Sequence, residues 1–136
     1  MAGYSGTPLA KKLGIKPGFS LVLVEAPDGF EKVLEGLPDD VEPARGLKGK
    51  SPVDVAVVFV KKRTELEKRF AQAAARLSEL KGAGIWIAWP KKSSGVKTDI
   101  TEDAIREVCL PLGLVDNKVC AIDETWSGLR MVRRRK

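Results

Sequence analysis

The chain has 136 residues, of which 43% are hydrophobic and 31% are charged, so it is about one domain long and can bury a core of its own. It contains no histidine, which excludes serine–histidine and cysteine–histidine nucleophile pairs, and its two cysteines are too few for a structural zinc site. The net charge of +6 favours anionic partners such as phosphates, nucleotides or nucleic acid.

The first predicted elements are a short helix and a buried strand. The helix covers about residues 7–14, where Thr7 is placed to cap its start and Gly14 to end it in a left-handed conformation. The apolar stretch Phe19–Ala26 predicts a strand that is buried on both faces, as is typical of a parallel sheet.

A second helix–strand pair is predicted next. Asp28 and Glu31 have the spacing of a capping box, which opens a short helix that ends near Gly36. A weak strand is expected at residues 41–45, and the proline inside it confines that strand to a sheet edge. The stretch Val53–Val60 predicts another strongly buried strand.

The middle of the chain has the clearest helical pattern. Thr64 and Glu67 form a second capping-box pattern, at the start of an amphipathic helix that runs to about Leu80. The stretch Ile85–Trp89 then predicts a third buried strand.

The C-terminal part predicts a helix followed by a hairpin. Thr101 is expected to cap this helix, and Gly113 is expected to end it. Two strands follow, at residues 114–123 and 129–133, and the turn between them is expected to hold Trp126–Gly128. Two strands joined by so short a turn pair antiparallel.

Strands that alternate with helices predict a three-layer α/β/α Rossmann-like domain with a mostly parallel sheet and a C-terminal antiparallel hairpin strand. We expect one domain over residues 1–136, with a basic tail at about 130–136 that is either solvated or in contact with nucleic acid. Cys109 and Cys120 lie among apolar residues and are expected to be buried thiols of a cytoplasmic protein. No apolar run of membrane-spanning length is present, and the N-terminus does not have the layout of a secretory leader.

The order of elements resembles a shortened class I methyltransferase, which has a Rossmann-like fold. The resemblance rests on the glycine-containing turn at 16–18, the passage Leu80–Ile85 and the closing glycine–leucine turn and hairpin. It implies that fold and, as an activity, methyl transfer from S-adenosylmethionine. After the first strand, Glu25–Phe30 holds one glycine where these enzymes have a glycine-rich loop. No acidic residue matches the one that holds a ribose after their second strand.

The sequence is also similar, along its whole length, to a bacterial family of short single-domain proteins of unknown function. The shared stretches are Ser5–Gly14, Trp89–Gly95 and Asp123–Leu129. This resemblance implies a family and no activity.

A ligand site is predicted where the loops that follow the parallel strands meet. The loop Trp89–Gly95 combines two lysines, two serines and a glycine, which either recognise phosphate or form a solvated turn. Glu124 and Trp126 lie in a later turn, where they either pair with those lysines or cover the sheet edge. Glu25 and Asp28 follow the first strand, and capping also explains Asp28. The candidate ligand-binding residues are therefore Trp89, Lys91, Lys92, Ser93, Ser94, Glu25, Asp28, Glu124 and Trp126.

Three functions follow from these residues. The first is a non-catalytic binding or regulatory module for a small anionic, phosphate- or nucleotide-like ligand, because a basic loop is present and a catalytic set is not. The second is an atypical S-adenosylmethionine-dependent methyltransferase-like protein. The third is a module that binds protein or nucleic acid through the basic tail. Lys61–Arg63, at the start of a helix, is either a further anion site or a solvated charge run. No metal site is predicted, and the residues identify no cofactor.

Overall fold

The computed structural model describes residues 7–47 and 49–134. Its α-helices and strands alternate along most of the chain, and three short 3₁₀ helices lie between them. In chain order the described elements are α1 (Leu9–Lys12), β1 (Leu21–Val24), a 3₁₀ helix (Phe30–Val33), β2 (Pro43–Arg45), β3 (Val55–Phe59), α2 (Arg63–Arg76), β4 (Gly84–Pro90), a 3₁₀ helix (Lys92–Ser94), α3 (Glu102–Cys109), a 3₁₀ helix (Leu110–Leu112), β5 (Leu114–Ala121) and β6 (Trp126–Arg133).

The strands form one sheet in the order β2–β1–β3–β4–β6–β5. The first four strands are parallel to one another, whereas β6 runs antiparallel to β4 and to β5. Every residue of β1, β3 and β4 is buried, because helices or turns cover both faces of the central sheet. The predicted Rossmann-like fold with a closing hairpin is therefore confirmed.

Two hydrophobic clusters pack on opposite faces of the sheet. On one face α2 and α3 contribute Leu66, Phe70 and Ile105. On the other face the cover consists of α1 and the first 3₁₀ helix, and the indole nitrogen of Trp86 donates a hydrogen bond to the carbonyl of Leu13 at 2.9 Å. The second layer is thus built from much shorter helices than the first.

The predicted helix caps are confirmed at one helix and wrong at the three others. The Thr101 side chain accepts a hydrogen bond from the Ala104 amide at 3.0 Å, as predicted. Thr7 and Asp28 do not cap. Pro8 precedes α1 and makes no side-chain cap bond, and the first 3₁₀ helix begins after Gly29, whose positive φ of 78° turns the chain without a side-chain cap.

The start of α2 also differs from the prediction. It begins after Lys62, two residues earlier than Thr64 would place it, and the acidic residue of the first turn is Glu65 rather than Glu67. The Glu65 carboxylate accepts hydrogen bonds from the amides of Lys61 and Lys62. A carboxylate three residues into the helix is therefore enough to stabilise its first turn.

The hairpin turn lies earlier than predicted, since Trp126 and Gly128 belong to β6. The side chain of Asp123 closes the turn by accepting hydrogen bonds from the amides of Thr125 and Trp126, each at 2.8 Å. Gly128 sits inside a strand because a Cβ there would come within 3.0 Å of the Trp86 ring. Its glycine reflects close packing, not a turn.

The first basic residues of the predicted tail belong to the sheet. Arg130 and Arg133 lie in β6, and both donate hydrogen bonds to backbone carbonyls of the α2–β4 connection. These two arginines therefore belong to a strand, as predicted for residues 129–133, and not to a free tail, although Arg133 is exposed. Arg135 and Lys136 lie outside the described residues.

Buried Asp54 connects the amino-terminal ends of the central strands. Its carboxylate accepts hydrogen bonds from the Ser20 amide at 2.8 Å and from the Ser78 hydroxyl, and its own carbonyl accepts one from the Gly84 amide at 2.9 Å. Ser20 precedes β1, Asp54 precedes β3 and Gly84 begins β4. One side chain and its backbone thus align the starts of three parallel strands.

We expect Asp54→Ala to lower the free energy of unfolding by about 3 kcal/mol, because it leaves the buried Ser78 hydroxyl and the Ser20 amide without their acceptor. Urea unfolding of this variant and of Asp39→Ala, at an exposed position, would measure the effect. Equal losses in the two variants would contradict the role given to Asp54.

Candidate functional site

A crevice of about 290 Å³ opens at the carboxyl ends of β1 and β3. From β1 the chain passes to β2 on one side and then to β3 on the other, so the strand order reverses between β1 and β3. Ligands of open α/β sheets bind at such switch points. The crevice is lined by Glu25, Pro27, Phe59, Val60, Lys61, Glu65, Arg69 and Trp126.

One wall of the crevice is aromatic. Phe59 ends β3 and packs edge to face against Trp126, with ring centroids 5.0 Å apart, and against Phe30 at 4.9 Å. All three rings are buried, and edge-to-face pairs hold aromatic side chains in defined orientations. This wall therefore offers a fixed apolar surface to a ligand.

The crevice lining also carries a fixed pair of charges. The Glu65 carboxylate accepts a hydrogen bond from the Lys61 amide at 2.8 Å, and this bond lowers the pKa of Glu65 below its ordinary value. The Arg69 guanidinium donates to the Phe59 carbonyl at 2.8 Å and lies 3.5 Å from the Glu65 carboxylate. An anionic and a cationic group thus lie side by side, and both are held by the backbone.

Two further charges at the rim are free to meet a ligand. Glu25 and Lys61 are exposed, and neither forms an ion pair within residues 7–47 and 49–134. Glu25 directly follows β1 with a φ of 56°, the one positive value among the described non-glycine residues. The left-handed region costs a non-glycine residue about 1 kcal/mol, and such strain concentrates at functional sites. Glu25 is therefore the strongest single candidate for a ligand contact.

The loop after β1 is locked by Arg45 instead of being rich in glycine. The Arg45 guanidinium binds both carboxylate oxygens of Glu31 at 2.8 Å and donates to the carbonyls of Ala26 and Pro27. The hydrogen bonds from Arg45 lower the pKa of Glu31 to about 2. Dinucleotide-binding folds of this kind hold a ribose through an acidic residue at the end of the second strand. In this chain the last residue of β2 is Arg45, and its side chain is hydrogen-bonded to the loop after β1.

The backbone donors at the start of α2 are already used. The amides of Lys61 and Lys62 bind Glu65, and the Arg63 amide donates to the Asp99 carboxylate at 2.7 Å. A helix start attracts anions through such donors, but here two carboxylates of the chain occupy them. The structure therefore favours the solvated charge run over an anion site at the amides of Lys61–Arg63, whereas the exposed Lys61 side chain belongs to the crevice lining.

Of the predicted site residues, Glu25 and Trp126 line the crevice. Trp89 does not, because it belongs to the cluster beneath α2 and α3 whereas Trp126 belongs to the cluster on the other face. Asp28 and Glu124 are exposed and are not among the residues that line it.

The predicted basic loop lies beside the crevice and outside its lining. The Lys91 amide donates to the Thr125 carbonyl at 2.8 Å, and the Ser94 hydroxyl donates back to the Lys91 carbonyl at 2.6 Å. Lys92 and Ser93 are exposed. This loop is thus tied to the hairpin turn, and anion binding by its free side chains stays a prediction.

Six crevice residues were missing from the predicted set: Pro27, Phe59, Val60, Lys61, Glu65 and Arg69. The last two are four residues apart near the start of a helix that follows a buried strand, so their acid–base spacing was a usable signal. Phe59 gave no such signal, since an aromatic residue at the end of an apolar run is equally typical of a core.

No set of three histidine, cysteine, aspartate or glutamate side chains in the described part of the chain could hold a metal ion. Within the same residues, no helix is both long and apolar enough to cross a bilayer. Cys109 and Cys120 are free thiols, the first buried and the second half-buried. Burial raises the pKa of Cys109 to about 12 and also raises the pKa of Cys120, which disfavours thiolate chemistry at both.

Solved structures similar to this chain include methyltransferases and a protein with bound S-adenosyl-L-methionine. The ribosomal protein L11 methylase of Lactobacillus delbrueckii subsp. bulgaricus has a TM-score of 0.62 and 11% identity, over 93% of this chain and 75% of that chain. The magnesium protoporphyrin IX methyltransferase of Synechocystis PCC 6803, solved with bound SAH, has a TM-score of 0.56 and 10% identity, over 85% and 74%. Fibrillarin of Aeropyrum pernix, solved with natively bound S-adenosyl-L-methionine, has a TM-score of 0.55 and 16% identity, over 91% and 73%.

These similarities show that the fold is the Rossmann-like fold of class I methyltransferases. No protein-family model and no curated protein matches the sequence. The resemblance to a bacterial family of unknown function therefore stays a prediction.

The Glu31–Arg45 contact should make stability depend on acid pH. The pKa of Glu31 is about 2 in the folded protein against an ordinary 4.5, so its contribution is complete above about 4.5 and is lost as the pH falls toward 2. The difference in urea midpoint between the wild type and Glu31→Gln should be constant down to about pH 4.5 and shrink below it. Glu35→Gln, at an exposed position, is the control. A difference that does not change with pH would contradict this account.

If the loop Lys91–Gly95 recognises phosphate, the double variant Lys91→Ala, Lys92→Ala should lose at least about tenfold in affinity for nucleotides, since each ammonium supplies a charge-assisted contact. A thermal-shift panel of nucleotides and phosphorylated metabolites would test this. The matched control removes two exposed lysines elsewhere, Lys32→Ala and Lys68→Ala. Equal stabilisation of both double variants would place any bound anion outside this loop.

Proposed function

We propose that the chain is a methyltransferase-like protein that binds S-adenosylmethionine, or another nucleoside carrying an amino acid, in the crevice at the ends of β1 and β3. The observation that carries the proposal is the position of a crevice with charges of both signs and an aromatic wall at the sheet's switch point. Two similar folds were solved with SAH or S-adenosyl-L-methionine bound.

The charges of the crevice complement a zwitterionic amino acid. Glu25 at the rim is suited to an α-ammonium group, and Lys61 and Arg69 are suited to an α-carboxylate. Phe59 and Trp126 provide apolar surface beside them. A phosphate-like anion is less well matched here, because two carboxylates line the same space. For this reason the crevice supports the methyltransferase-like interpretation better than the non-catalytic anion module.

The size of the crevice limits which part of the ligand it holds. About 290 Å³ is at the lower end of small-molecule sites, so it suits the amino-acid end more than a whole nucleoside. The nucleoside would lie along the loop that Arg45 locks, where the Glu31 carboxylate is already bonded. We therefore expect weaker binding than that of a glycine-rich site, with a dissociation constant of roughly 1 mM or tighter.

Methyl transfer is compatible with the side chains present. The cofactor, when bound, supplies the methyl group, and the protein's contribution is to hold an acceptor in line with it and to exclude competing water. That task requires neither histidine nor a metal.

Glu25→Gly should weaken ligand binding without lowering the melting temperature. Glycine adopts a φ of 56° without strain, so the melting temperature should stay equal or rise, although glycine also makes the unfolded chain more flexible. Loss of the carboxylate should weaken binding of S-adenosylmethionine by about tenfold, measured by calorimetric titration. Glu25→Gln should weaken binding similarly while keeping the size of the side chain.

Glu124→Gln is the matched control, because Glu124 is exposed at the same end of the sheet and outside the crevice lining. In a competition experiment, methionine should displace the ligand and adenosine should not, since the crevice fits the amino-acid end. Absence of binding by the wild type at millimolar concentration, or equal affinity in Glu25→Gly, would end the proposal.

A further inference from the structure

A second crevice, of about 180 Å³, lies at the opposite end of the sheet, near the starts of β1 and β4. Four of its seven lining residues are cationic, and none is acidic. It is lined by Lys12, Leu13, Gly14, Lys16, Gly82, Lys118 and Arg130. We call it the basic crevice.

The strand register brings two of these cations face to face. Lys118 of β5 pairs directly with Arg130 of β6, and Arg130 pairs in turn with Trp86 of β4. A bulge between Asp116 and Lys118 sets this register; without it, Asn117 would stand opposite Arg130. Like charges directly opposite each other in an antiparallel pair are destabilising. The fold therefore retains a repulsion that an anion would relieve.

The four cations keep hydrogen-bond donors for a ligand. Arg130 donates to the Gly82 carbonyl at 2.6 Å and Lys118 to the Lys12 carbonyl at 3.2 Å, which leaves further N–H groups on each. In the described part of the chain, none of the four cations forms an ion pair. Burial lowers the pKa of Arg130, because no neighbouring carboxylate offsets the cost of desolvation.

Two glycines lie next to the cations of the basic crevice. A Cβ at Gly82 would lie 3.6 Å from the Lys16 ammonium nitrogen, and a Cβ at Gly84 would lie 2.9 Å from the Arg130 side chain. Any side chain at Gly84 would push the guanidinium aside. The backbone at Gly84 therefore lies so close to the Arg130 side chain that only glycine fits there.

We propose that the basic crevice binds a small phosphorylated anion with at least two negative charges, such as pyrophosphate or the phosphate chain of a nucleotide. Four cations that converge on one small concavity suit a compact anion, whereas a nucleic-acid backbone needs charges spread along a stripe. Phosphate oxygens accept several hydrogen bonds at once from ammonium and guanidinium groups. The proposal is independent of the crevice at the other end of the sheet.

Calorimetric titration of the full chain with pyrophosphate, tripolyphosphate and ATP is the direct test. We expect binding of all three that weakens as sodium chloride is added. Lys16→Gln and Lys118→Gln should each weaken it by at least about tenfold, while Lys11→Gln, an exposed lysine of α1 outside the crevice, should not. Similar affinities for ATP and tripolyphosphate would identify the phosphate chain as the recognised part, and tighter binding of ATP would identify a nucleotide.

The melting temperature of Lys118→Gln supplies a second test, in which the variant and the wild type should differ in opposite directions without the anion and in their response to it. Without any anion, Lys118→Gln should melt at a higher temperature than the wild type, because the repulsion with Arg130 is gone. With pyrophosphate it should gain less stability than the wild type. The proposal is overturned if sulfate and pyrophosphate bind with equal affinity and neither responds to Lys16→Gln or Lys118→Gln. Binding of a short DNA duplex without binding of pyrophosphate would overturn it as well.

Discussion

The alignment of the central parallel strands depends on one buried carboxylate. Parallel neighbours are far apart in sequence, so no short turn can set their register, and a slip of one residue would exchange the two faces of a strand. Asp54 removes this freedom by binding the segments before β1 and β4 as well as its own. Since the strands start at one level, the residues that follow them, Glu25 and Lys61 among them, meet at the other end of the sheet.

The sheet separates two surfaces with different electrostatics. At the carboxyl ends of the strands, charges of both signs surround an aromatic wall, and the fixed charges there are held by the backbone. In the crevice near the amino ends, every charged lining residue is a cation. The net charge of +6 is therefore a poor guide to the first crevice and a good guide to the second. Charge averaged over a chain says little about any one site.

The apolar runs predicted β1, β3 and β4 because burial on both faces leaves a strand no polar alternation. Helix caps were harder to predict, because a carboxylate such as Asp28 fits several local patterns. Its predicted capping partner Glu31 pairs instead with Arg45, which lies 14 residues away in the sequence. Site residues depended on which face of the sheet each side chain occupies. Trp89 near the end of β4 and Trp126 at the start of β6 are one register position apart, so the pleat places them on opposite faces. The sequence also does not reveal the bulge between Asp116 and Lys118, which places Lys118 opposite Arg130 in the sheet.

The thin layer formed by α1 has its own consequence. A helix of four residues is too short to be stable alone, so α1 is ordered by its contacts with the sheet. Leu9 and Leu13 are buried against the sheet, and the Leu13 carbonyl accepts a hydrogen bond from the Trp86 indole. We therefore expect this segment to open before the longer helices do. Unfolding of α1 would expose one face of the central strands to solvent while α2 and α3 still cover the other face. The two faces of the sheet would then lose their cover at different stages of unfolding.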